Sequence, residues 1–190
     1  MLIMLDPSDI ITALAGLTVV AQVIALITLV ALIVSLATKK HDGFIVRYIH
    51  AHGLVLLFIV ALTATCASLY LSEIAGFTPC KDCWLQRIFM YPQVILLGIA
   101  LWKRDRNIAL YIFALSVIGI FLSGDHYGDQ IMQAFFPEQL DEPCDATGVS
   151  CAKAEFFRFG YISIPLMAGT AFLLNIIGSL TMLTRKPKHS

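Results

Sequence analysis

"PCKDCWLQRIFMYPQVILLGIALWKRDR", Pro79 to Arg106, sets two thiols three positions apart, runs through apolar residues from Trp84 to Trp102, and closes on Lys103, Arg104 and Arg106. An apolar helix of about 20 residues crosses a hydrocarbon core. Lysine and arginine gathered at one end of such a span mark its cytoplasmic side. The stretch therefore predicts a transmembrane helix with a dithiol at its outer rim. Arg87 falls one turn deeper than Cys83, roughly 6 Å at 1.5 Å per residue.

The rest of the chain agrees with a membrane setting. Of its 190 residues, 58% are hydrophobic and 14% charged, and the mean hydropathy is +0.82, well above an ordinary soluble domain. The expected class is an all-α polytopic membrane protein. Spans are predicted near Ile10–Thr38, Tyr48–Ser72, Trp84–Trp102, Ile108–Gly124 and Tyr161–Leu183. Lys39, Lys40 and Arg47, then Lys103, Arg104 and Arg106, then Arg185, Lys186 and Lys188 occupy alternate connections. Most acids, among them Glu73, Asp82, Glu138, Asp141, Glu142 and Asp145, lie in the others. Five crossings with the N-terminus outside and the C-terminus cytoplasmic satisfy every connection. The first span has no basic residues before it and exceeds the length of a signal-peptide core, so it reads as a retained helix. Neither repeats nor low-complexity tracts occur. The net charge of zero offers no argument for a nucleic-acid partner.

Four of the five cysteines form two close pairs, Cys80 with Cys83 and Cys144 with Cys151, both in segments expected to face outward. Disulfides persist on the oxidising side of a bacterial membrane. Cys-x-x-Cys at a helix start places sulfur beside unpaired backbone N–H groups and the positive end of the helix dipole, an arrangement that stabilises a thiolate. Pro79 favours an extended approach to it. Arg87 has two readings: it snorkels to the surface, or it faces the interior and stabilises negative charge on sulfur or on a docked electron acceptor. Cys144 and Cys151 flank "DATGVS", a turn-prone loop that a disulfide could close. They are either a static staple or a second dithiol able to exchange with the first through a mixed disulfide, and a neighbouring pair on the same side favours exchange.

"PCKDCWLQR" followed by "MYP", "HYGDQ" at His126–Gln130, Cys144 and Cys151, and "GYISIPLMAGTAF" at Gly160–Phe172 resemble, in order, segments of the disulfide bond formation protein B (DsbB) family in its BdbC-like branch. The resemblance runs from about Tyr48 to Leu183. It implies a four-helix DsbB-like membrane domain over 48–190 with an outer catalytic loop at about 125–160. Residues 1–47 add an N-terminal transmembrane helix and cytoplasmic loop that familiar members lack. The implied activity is a quinone-dependent thiol-disulfide oxidoreductase of the bacterial plasma membrane. It would re-oxidise a soluble DsbA-like thioredoxin-fold protein and pass electrons to ubiquinone or menaquinone. Under that resemblance Cys144–Cys151 accept electrons from the partner, Cys80–Cys83 pass them on, and Arg87, Gln86 and His126 lie at the quinone; no metal is implied.

Other readings compete. Four thiolates could form a zinc site, although six residues between Cys144 and Cys151 exceed usual finger spacing. A vitamin K epoxide reductase-like enzyme would place its loop pair before the rim pair, the reverse of the order here. Both pairs could also be staples on an accessory subunit. His126 is expected to end the fourth span at the membrane interface, and "YGDQIMQAFF" to form a short helix lying on the membrane. His50 and His52 fall at the inner end of the second span with no chemistry assigned, and Cys66 is expected to fill space as a small hydrophobe.

Overall fold

A computed structural model of the chain describes residues 6–38, 43–136 and 150–184. It contains helices α1 (Pro7–Thr38), α2 (Phe44–Leu69), α3 (Lys81–Lys103), α4 (Ile108–Phe135) and α5 (Ile164–Leu183). All five are long and apolar enough to cross a membrane, so the protein is an all-α, multi-pass membrane protein. Cys144 and the predicted basic groups at 39–40 and 185–188 lie outside the described residues.

Local chemistry fixes where the helices begin and end. Cys80 takes extended backbone angles (φ −74°, ψ 175°), and its carbonyl accepts the first bond of α3 from the Trp84 N–H at 3.1 Å. Arg104 closes α3 in the left-handed conformation at φ 55°, and the Asp105 N–H donates to the Ala100 carbonyl, satisfying carbonyls that a helix end leaves open. At the C-terminal end of α2, one turn widens to a π-helix over Tyr70–Ile74. Beyond it the Phe77 N–H donates back to the Leu71 carbonyl, turning the chain towards Pro79 and Cys80. A tight reversal at residues 158–162, with Gly160 at φ 80°, delivers the chain to α5.

The bundle packs tightly around Leu57, Ala61, Leu97, Ile112 and Phe172. At Gly119 of α4 an added Cβ would lie 2.3 Å from the Phe172 ring of α5; only glycine lets these helices approach so closely. A buried polar group ties three helices: Gln93 Oε1 accepts from Asn175 Nδ2 at 2.8 Å and from Ser116 Oγ at 3.3 Å. In a bilayer such bonds hold helices together where apolar burial cannot. α1 lies against α2 and α5. Its Gln22 accepts from the Tyr161 hydroxyl at 2.9 Å and donates to Thr170 Oγ1 at 3.4 Å.

Two expectations are corrected. The fourth span does not end at Gly124 with a separate surface helix after it; α4 continues unbroken to Phe135 over 28 residues, about 42 Å at 1.5 Å each. The polar residues that suggest an ending are its inward face, for Ser116, Ser123, His126 and Gln130 are all buried at spacings of seven, three and four. Cys66 does not fill the interior: it is exposed on α2. His50 is buried, and Arg106 donates to its carbonyl.

Candidate functional site

Cys80 and Cys83 are held by the first turn of α3, Cys80 buried and Cys83 partly exposed. Their sulfurs lie 3.2 Å apart, the Cys80 thiol donating to Cys83 Sγ. That hydrogen bond, with burial, pushes the Cys80 pKa up to about 12, so the helix start does not make Cys80 the thiolate. Cys80 keeps its proton while Cys83 is presented towards Arg87.

His126 is the hub of the site, and only 2% exposed. The Gln86 side-chain amide donates to its Nδ1 at 2.9 Å, leaving Nε2–H to donate to the Cys151 carbonyl at 3.1 Å. The same nitrogen lies 3.7 Å from Cys80 Sγ. Cys151 is also buried, at 1% exposure, so one imidazole touches both cysteine-bearing segments. His126, expected at the end of the fourth span and by resemblance near the quinone, is an interior residue of α4. The side-chain amide of Gln130, one turn further along α4, reaches within 3.5 Å of Nε2.

Arg87 neither snorkels nor floats. Its Nε donates to Ser68 Oγ at 3.0 Å and its Nη2 to the Ser68 carbonyl at 3.2 Å. The guanidinium carbon lies 5.0 Å from the Trp84 ring centroid and 6.0 Å from that of Tyr91, within cation–π range. The Tyr91 hydroxyl completes the cluster by donating to Ser68 Oγ at 3.2 Å. Both cysteines of α3, Gln86, Arg87, His126 and Cys151 line one cavity of about 590 Å³.

Residues 50–182 match the family model described as disulfide bond formation protein DsbB. The chain belongs to the DsbB family. Among its relatives is the disulfide bond formation protein C of Bacillus subtilis, 43% identical over 120 residues, which are 63% of this chain and 84% of that protein. A probable disulfide formation protein C of Halalkalibacterium halodurans is 42% identical over 130 residues, 68% of this chain and 91% of its own. The SPbeta prophage-derived disulfide bond formation protein B of Bacillus subtilis is 41% identical over 128 residues, covering 67% and 82%. No solved structure matches the chain. Membership assigns this DsbB-family protein a membrane function in disulfide bond formation. The matched region begins at residue 50, so α1 lies wholly before it.

Of the sequence-predicted site residues, Cys80, Cys83, Gln86, Arg87, His126 and Cys151 converge on this cavity. Cys144 lies outside the described residues. Ser68, Tyr91 and Gln130 were not foreseen. Gln130 follows His126 by four residues, a helical spacing that would have found it had α4 been continued. Nothing in the local sequence marks Ser68 as the anchor of an arginine nineteen positions on. Cys80, Cys83 and His126 also place three donor atoms within 4.8 Å of one another, a Cys₂His set of the kind zinc accepts.

Proposed function

We propose that this DsbB-family protein re-oxidises a soluble thioredoxin-fold dithiol on the outer face of a bacterial plasma membrane and passes its two electrons to quinone. The observation that carries the reading is the single imidazole of His126, set between Cys80 and the Cys151 backbone. The partner's thiolate attacks the Cys144–Cys151 disulfide and resolves to a partner disulfide, leaving the loop pair reduced. A loop thiolate then attacks the Cys80–Cys83 disulfide at Cys83, releasing Cys80 as a thiolate beside His126 Nε2–H, and the second loop thiol resolves the mixed disulfide, leaving the loop pair oxidised and the rim pair reduced. A bound quinone would supply the oxidant, accepting two electrons and two protons from the Cys80–Cys83 dithiol so that the rim disulfide is restored. Arg87, fixed by Ser68 and the two rings, holds a positive charge for the acceptor's carbonyl oxygen. The polar groups at the mouth of an apolar cavity fit an amphipathic acceptor of this class. Cys83, the more exposed sulfur, lines that cavity together with Cys80 and Arg87.

The test is oxidation of a reduced thioredoxin-fold substrate by purified protein in liposomes with added quinone. Turnover is expected in wild type and absent in Cys80→Ser and Cys151→Ser; equal turnover in all three leaves only a structural role. A partner lacking its resolving cysteine should be trapped on Cys144 or Cys151, and exclusive capture on Cys80 or Cys83 reverses the order. The clustered donors of Cys80, Cys83 and His126 support a second reading, a zinc site. Stoichiometric zinc in the reduced protein would favour it.

A further inference from the structure

The cavity below the dithiol is far longer than a quinone head needs. Along α2 its lining extends from Ser68, beside Arg87, down to Tyr48 and Phe44. Twenty residues from Ser68 to Tyr48 rise about 30 Å, the thickness of a hydrocarbon core. Its polar groups, Cys80, Cys83, Gln86, Arg87, His126 and Gln130, gather at one end. Beyond them the lining is aliphatic and aromatic. Of the threonines there, Thr18, Thr28 and Thr170 each donate to a carbonyl of their own helix, so those hydroxyls are already satisfied.

α1, the helix outside the family match, supplies one wall through Leu14, Thr18, Ala21, Ile24 and Thr28. These recur at three and four residues, one face of a helix. Gln22, bonded to Tyr161 and Thr170, pins the wall from a neighbouring face.

Resting on the quinone reading above, we infer that α1 converts the quinone site into a channel for a long polyprenyl tail, making this protein selective for long-tailed quinones. A polar head at the thiols and an apolar tail running down beside α1 match the polarity and length of the cavity, and the channel is continuous with the redox pair. The dimensions fall within the volumes of small-molecule sites.

The test compares KM for a quinone bearing about eight isoprene units with KM for one bearing a single unit, in wild type and in Ala21→Trp and Thr28→Phe. Each variant blocks space that several methylene groups would occupy, so the long-tail KM is expected to rise about tenfold or more relative to the short-tail KM. Val30→Trp, on the opposite, exposed face of α1, is expected to change neither. Unaltered ratios in both filled variants, or equal increases for both tails, would overturn the inference and leave quinone reduction standing. Wild-type protein that reduces no quinone of any tail length would overturn the functional reading and the channel together.

Discussion

His126 receives a bond from Gln86 on one ring nitrogen and gives one to Cys151 on the other, so its tautomer and its direction are both set. A ring held in this way keeps its single Nε2–H between the Cys151 carbonyl and Cys80 Sγ, 3.7 Å away, where it can be shared with charge arising on Cys80. His126→Ala is expected to slow exchange between the two cysteine pairs by one to two decades, the worth of a charge-assisted contact of about 1.5–3 kcal/mol, read by rapid-quench alkylation. Arg87→Met should lower kcat/KM for quinone by a similar factor, with Arg87→Lys restoring part of it, since lysine keeps the charge and loses the fork that grips Ser68. The two thiols should also react unequally. Cys80 holds its proton up to about pH 12, and its raised pKa means that the thiolate appears only as pH climbs towards that value. In a Cys66→Ala background, limited alkylation of the reduced protein near pH 7.5 should mark Cys83 before Cys80. Labelling of Cys80 should rise with alkalinity, as resolved by peptide mass spectrometry; Cys80 reacting first at neutral pH would contradict the hydrogen-bond direction.

At the level of helices, two devices hold the bundle: close approach and buried amides. Gly119→Ala drives a methyl against Phe172, an overpacking expected to cost about 1–3 kcal/mol and to lower the unfolding midpoint in detergent. Gly124→Ala, with nothing within 4 Å, should leave the midpoint unchanged or raise it. Asn175→Leu removes the shorter of the two bonds on Gln93 Oε1, and the loss should be about 1 kcal/mol, since interhelical bonds in membranes contribute modestly. Because the Gln93 cluster and the Gly119 contact share α4 and α5, the double variant Gly119→Ala with Asn175→Leu is a check on whether they act independently.

Across the whole molecule, the five spans were legible because length and hydropathy report burial in lipid directly, and Lys103, Arg104 and Arg106 mark one end of α3 without any knowledge of packing. A reporter follows from that topology: a split fluorescent protein strand inserted after Asp105 should complement a cytoplasmic partner, and one inserted after Phe136 should not. The convergence of Cys80, Gln86, Arg87 and His126 was legible through motif order, but the run Gly124–Gln130 misled. Polarity there looks like solvent exposure, whereas in a redox bundle it is the interior that is polar, and a one-dimensional reading cannot tell which face is which. Ser68 was invisible for the same reason, being an ordinary serine until tertiary structure brings a guanidinium to it. The wide turn at Tyr70–Ile74 carries a consequence for all that follows it. It takes up one surplus residue between the helix that anchors Arg87 and the segment that delivers the dithiol. A further residue inserted beside Glu73 would exceed what that turn absorbs and swing the onward chain by about 100°, so that the Arg87 guanidinium on α3 would no longer reach Ser68 on α2: a phase error of a single amino acid would cut the charge loose from its mooring.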